Sequence, residues 1–169
     1  MIGAECWMTL EITISSILSF AAITLLLLVY SVFDLRTRHV PNRIMIIGGV
    51  ASFGIIILTG HLIEHPLLHL TASVFMITVA YMLFRVGAFG GADVKTVITI
   101  AILSPGVEFG DWYEPILEGI VASGLLLAMV LLVAYIFSQY IQKREGNNVT
   151  PLLPIILVAY LILQLLALV

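Results

Sequence analysis

The segment Ile12–Phe33, ITISSILSFAAITLLLLVYSVF, decides the class of this molecule. It carries no charge and stops against Asp34. A bilayer core about 30 Å thick is crossed by about 20 apolar residues in helical form, so this segment predicts a transmembrane helix. Working outward, similar runs occupy residues 44–60, 67–84, 94–104, 116–141 and 152–169. None alternates apolar and polar residues as barrel strands do. The reading is an all-α polytopic membrane protein of six helices. The fourth run is short. Val94–Ser104 covers only about 16 Å and completes a crossing only if its helix starts before Asp93 or continues past Pro105.

The whole composition agrees. Of 169 residues, 62% are hydrophobic and 10% charged, against roughly 45–50% and 25% in soluble domains. A compact monomer of this size has too little interior for that much apolar surface. Disorder is excluded by the hydrophobicity. Nucleic-acid binding through a basic stripe is excluded by a net charge of −3. A single cysteine, Cys6, excludes a disulfide scaffold.

The few charges predict the topology. All seven Lys and Arg residues (Arg36, Arg38, Arg43, Arg85, Lys95, Lys143, Arg144) fall after the first, third and fifth runs, together with Asp34, Asp93 and Glu145. The other seven acids (Glu5, Glu11, Glu64, Glu108, Asp111, Glu114, Glu118) fall on the opposite side. The positive-inside rule puts the basic side in the cytoplasm and both termini outside. The start lacks a basic segment and leads into too long an apolar run for a cleavable signal, so none is expected.

Acids at membrane depth are costly and default to functional candidates. Asp34 ends the first run and Asp93 opens the fourth, at the same depth on the basic side. Two neighbouring carboxyls cannot easily both ionise and therefore share a proton. The ionised one can activate water while the protonated one polarises a peptide carbonyl, which is peptide hydrolysis without metal, Ser or Cys. Gly87, Gly90 and Gly91 beside Asp93 leave room for a substrate backbone. Val40-Pro41-Asn42 reads as an extended residue before Pro and then a cap for the second helix.

Asp34-Leu35-Arg36-Thr37-Arg38-His39-Val40-Pro41-Asn42 resembles the first-aspartate segment of the type IV prepilin peptidases and their archaeal relatives, the preflagellin (prearchaellin) peptidases. Gly90-Gly91-Ala92-Asp93-Val94-Lys95 resembles their second-aspartate motif, Gly-x-Gly-Asp, with Ala92 in the place of the second glycine. The resemblance implies a single transmembrane peptidase domain over residues 1–169, with no separate soluble domain and no cofactor or metal. Asp34 and Asp93 would be the catalytic pair, with Gly90, Gly91, Ala92 and Lys95 forming the active-site loop. The enzyme would remove the short basic leader of pilin-like or archaellin precursors at the cytoplasmic face of an archaeal or bacterial cell membrane. Its partners would be those precursors and membrane lipids, with no nucleic acid. Bacterial relatives often carry a Cys tetrad and N-methylate the new terminus. Cys6 stands alone and is expected outside, which argues against methylation and for the archaeal branch.

Other features have plainer readings. Arg36, Arg38 and Arg43 read as topology anchors. Lys95, two residues from Asp93, is expected on another helix face, as an interfacial anchor first and a tuner of the pair second. His61, His65 and His69 have a four-residue spacing that suits zinc, but Pro66 interrupts it and a loop is the better reading. Trp112 and Tyr113 suit an outer aromatic belt. Gly119/Ser123 and Gly124/Ala128 are small-xxx-small pairs able to bring helices close. The competing functional class is a small transporter or channel component using Asp34 and Asp93 as a proton or cation relay, for which acids in mid-helix would be expected. An assembly subunit without chemistry would have replaceable aspartates.

Overall fold

A computed structural model of the chain describes residues 8–10, 13–139 and 151–167. Cys6, Glu5, Glu11, Lys143, Arg144 and Glu145 lie outside the described residues. Seven helices are described: α1 Ile14–Thr37, α2 Asn42–Thr59, α3 His61–Glu64, α4 Pro66–Val86, α5 Gly91–Leu103, α6 Pro115–Phe137 and α7 Leu152–Leu166. Four of them, α1, α2, α4 and α6, are long and apolar enough to cross a membrane. The protein is thus a helical, multi-pass membrane protein. The two remaining expected crossings, α5 and α7, are shorter.

Helix ends follow local chemistry. The Thr13 side chain accepts from Ser16 N–H at 3.1 Å and opens α1. The helix was expected to stop at Asp34 but runs on to Thr37. An apolar run marks the hydrocarbon boundary, not the helix end, and Leu35-Arg36-Thr37 continue the turn beyond it. Arg38 then takes a left-handed conformation (φ 54°) and ends the helix. Pro41, not Asn42, holds the capping position of α2 and makes no side-chain cap bond. The cap expected from Asn42 is therefore absent, because Asn42 is already the first helical residue. His61–Glu64, expected as a loop, forms the single turn α3.

Gly87 ends α4 at φ 81°, and the N–H groups of Ala88 and Phe89 return to the Leu83 carbonyl at 2.9 and 3.3 Å. Phe89 is buried behind this turn. The chain therefore reverses within a few residues and enters α5 at Gly91, so α5 does begin before Asp93. It ends before Pro105, which has no N–H to continue it. At about 20 Å it is shorter than a bilayer core. Beyond it, Ser104, Pro105 and Gly106 stay buried in non-helical form. Side chains take over their backbone partners: Val107 N–H donates to Glu118 Oε1 at 3.0 Å, and Glu108 N–H to Gln164 Oε1 at 2.9 Å. Such satisfaction is what permits irregular backbone inside a membrane protein.

The helices form a ring. α5 packs against α4, α2, α1 and α7; α1 also packs against α2 and α7, and α6 against α4 and α7. Gly119 lets α6 approach α4: a Cβ there would lie 2.6 Å from Thr71 Oγ1 and 3.3 Å from the Ala72 nitrogen. Gly124 has no such contact; its nearest neighbour is Phe75 at 3.8 Å. Of the two small-xxx-small pairs, only the first is used for close packing. An unexpected strand pair, β1 Met8–Leu10 with β2 Gly110–Trp112, runs antiparallel in the register Met8–Trp112 and Leu10–Gly110.

Candidate active site

The starts of α2, α5 and α7 and the end of α1 meet at one end of the ring. They enclose a cleft of about 390 Å³ whose lining includes Asp34, Arg38, Asn42, Asp93 and Leu152. All six residues proposed from the sequence, Asp34, Gly90, Gly91, Ala92, Asp93 and Lys95, line it. Asp34 occupies the last turn of α1 and Asp93 the first turn of α5. The cleft thus brings together two acids 59 positions apart in the sequence.

Each aspartate is held by a backbone donor at the start of a helix. Asp93, itself buried, accepts the Gly90 N–H at 2.8 Å, tying the residue that caps α5 to its third helical residue. Asp34 reaches to the neighbouring α7 and accepts the Leu153 N–H at 3.3 Å. That N–H belongs to the first turn of α7, where helical donors have no partner within the helix and the dipole favours negative charge. Among the described residues no hydrogen bond joins the two carboxyls directly. Both face the same open cleft.

The glycines differ in what they permit. A Cβ on Gly90 would meet Asp93 Oδ2 at 3.1 Å, tighter than ordinary contact, whereas a Cβ on Gly91 would meet nothing within 4 Å. Gly90 keeps the carboxylate seated. Gly91 faces open space.

Lys95 is exposed where Asp93 is buried, so the two occupy different faces of α5. Lys95 still lines the same cleft as Asp93 and its Nζ donates to Asn42 Oδ1 at 2.7 Å, linking α5 to α2. A long flexible stem lets the ammonium reach back from its own helix face. Arg38, expected as an anchor, also lines the cleft, and its charge acts on Asp34. The left-handed turn at Arg38 is what brings it there. The Leu153 N–H went unrecognised in the sequence. Pro151 before the apolar run marks a helix start, but not which carboxylate would find it.

The opposite end of the ring holds a smaller polar cavity of about 90 Å³. It is lined by Glu64, His65, Glu108 and Glu118, with no Lys or Arg in its lining. Arg36, Arg38, Arg43, Arg85 and Lys95 all belong to helix ends or turns at the aspartate end. Among the described residues no group of three or more His, Cys, Asp or Glu is placed to hold a metal. His65 precedes α4 and His69 is buried within it.

A family model described as the type IV leader peptidase family matches residues 21–168. No curated protein and no solved structure matches the chain.

Proposed function

The chain belongs to the type IV leader peptidase family, and on that premise we propose that it is an aspartic endopeptidase removing the leader of pilin-like or archaellin precursors at the cytoplasmic face. The observation that carries this reading is the meeting of Asp34 and Asp93, remote in sequence, in one cleft. The whole chain then acts as one peptidase domain. The concentration of basic residues at the cleft end supports a cytoplasmic site through the positive-inside rule. Neither acid lies at mid-span, which argues against a relay through the membrane.

In the proposed reaction one proton is shared between the two carboxyls. The ionised carboxylate takes a proton from water, and the oxygen attacks the peptide carbonyl carbon. The protonated partner gives its proton to the carbonyl oxygen, forming a tetrahedral diol. Collapse of the diol breaks the C–N bond, and a proton passes to the leaving nitrogen. Gly91 leaves the space through which an extended substrate backbone can approach. Arg38 and Lys95 balance the negative charge of the pair.

Co-expression with a precursor tests this by gel shift. The wild type is expected to remove the leader. Asp34→Asn and Asp93→Asn are each expected to slow cleavage on the order of 10²–10⁴-fold or more. Cleavage that survives either substitution would overturn the paired-aspartate mechanism.

A further inference from the structure

Two of the seams that meet at the cleft are closed by hydrogen bonds. Leu153 N–H to Asp34 joins α7 to α1, and Lys95 to Asn42 joins α5 to α2. The seam between α1 and α2 is bridged too, from the Tyr30 hydroxyl to the Met45 carbonyl, yet it stays open on its outer side. Next to the cleft it widens into an apolar groove of about 310 Å³ on the outer surface of the ring. Tyr30 and Gly48 line its floor. A Cβ on Gly48 would collide with the Tyr30 hydroxyl, so only glycine lets the ring cross under the seam, where its hydroxyl donates to the Met45 carbonyl at 3.2 Å. Leu25 and Ile47 stand at the rims, 65% and 67% exposed. Ser52 turns its hydroxyl back onto the Gly48 carbonyl at 2.7 Å, so the wall offers no free donor. Such a surface suits an apolar occupant.

Position selects which occupant. Tyr30 lies one helical turn before Asp34, and Ile44, at the groove's other wall, lies two residues after Asn42 of the cleft. Along α2 the groove runs from Ile44 to Ile55, about 16 Å, or roughly half the apolar thickness of a bilayer. A helix lying in it would end at the mouth of the aspartate cleft. In the proposed reaction the scissile bond directly precedes an apolar helix. We propose that the α1–α2 groove seats the apolar helix of the precursor and so delivers the scissile bond to Asp34 and Asp93. The small residues Ala22 and Ala51 that line it permit the close approach that membrane helices need in order to pack. The inference rests on the proposed peptidase function and goes beyond it by assigning a substrate-docking surface outside the cleft.

The test compares two substrates and two variants. One substrate is a pilin-like precursor with its whole apolar helix. The other is a water-soluble peptide spanning the same leader and scissile bond without the helix. Ala51→Trp fills the groove; Val50→Trp places the same bulk on the exposed α2 surface outside it. Ala51→Trp is expected to raise KM for the full precursor on the order of tenfold, with kcat and the short-peptide reaction unchanged and Val50→Trp neutral. An unchanged KM would overturn the docking site while leaving the peptidase reading intact. A photo-crosslinker at Ile47, in an otherwise unaltered chain, guards against misfolding of the tryptophan variant and against a peptide too poor to be cut. An adduct with the precursor helix, absent from the same probe at Val50, supports the site. Adducts with lipid alone, in a chain that cleaves the precursor, overturn it. A wild type that cuts neither substrate defeats the peptidase function, and the absence of any precursor adduct then defeats the docking site as well.

Discussion

Asp93 is seated by one backbone N–H, and Gly90 supplies it. The 3.1 Å separation between a Cβ at position 90 and Asp93 Oδ2 means that even one added methyl must shift the carboxylate. Gly90→Ala is therefore expected to lower kcat with little change in KM. Gly91→Ala meets no atom of the empty protein and is expected to leave its thermal stability unchanged. By narrowing the cleft it should raise KM instead. Steady-state kinetics on the two variants separate these outcomes; equal losses of kcat in both would contradict the distinct roles. Both glycines were recognisable in the sequence as neighbours of an acid, but which one touches it was not. That difference depends on how the turn after Gly87 presents the start of α5.

At the scale of elements, Gly119 and Gly124 belong to the same type of sequence pattern, yet only at Gly119 does the neighbouring helix come too close for a Cβ. Backbone atoms of Leu68 and Ala72 bound the space beside it and cannot move as a side-chain end can. Gly119→Ala is expected to destabilise the α4–α6 pair by about 1–3 kcal/mol, as overpacking does. Gly124→Ala is expected to be neutral or slightly stabilising, since alanine is the better helix former. Thermal unfolding in detergent measures both. The rough extents of the apolar helices were readable because continuous apolar runs leave few alternatives in a membrane; of the six expected crossings, four are helices long and apolar enough to span it. Their ends were not, as Leu35-Arg36-Thr37 shows: helix continues where apolarity has stopped. The pairing of Met8–Leu10 with Gly110–Trp112 was also hidden, because three-residue strands carry too short a pattern to read. The bond from Lys95 to Asn42 was hidden for a related reason, since helical spacing describes where a Cβ points and not where a long side chain ends.

At the scale of the molecule, charge among the described residues is sorted by end, and no Lys or Arg lines the cavity at the end opposite the aspartates. Glu108 is buried there, pushed up to about 8 by loss of hydration and, to a smaller degree, by the nearby Glu118, with a hydrogen bond from Ser104 opposing the shift. Its Oε2 has no hydrogen-bond partner. The folded protein thus keeps a proton on Glu108 that the unfolded chain releases near the ordinary value of 4.5. Stability from this group is complete below that value and is lost as pH rises towards about 8, because the folded state binds the extra proton. Melting temperature is expected to fall across this range in the wild type, and Glu108→Gln is expected to flatten the slope. A wild-type slope unchanged by the substitution would locate the effect elsewhere. None of this was visible in the sequence, where Glu108 was one more outer acid; only burial between Gln164 and Ser104 distinguishes it.

The two aspartates also fasten helices together, one by closing the turn into α5 and the other by pulling the start of α7 onto α1. The residues proposed to carry the chemistry are therefore also rivets of the fold. An alanine at either position would remove a reagent and a fastener at once, and a dead variant could be merely a loosened one. Asparagine keeps an oxygen that can accept the same N–H while giving up the acid, so it separates lost chemistry from lost architecture.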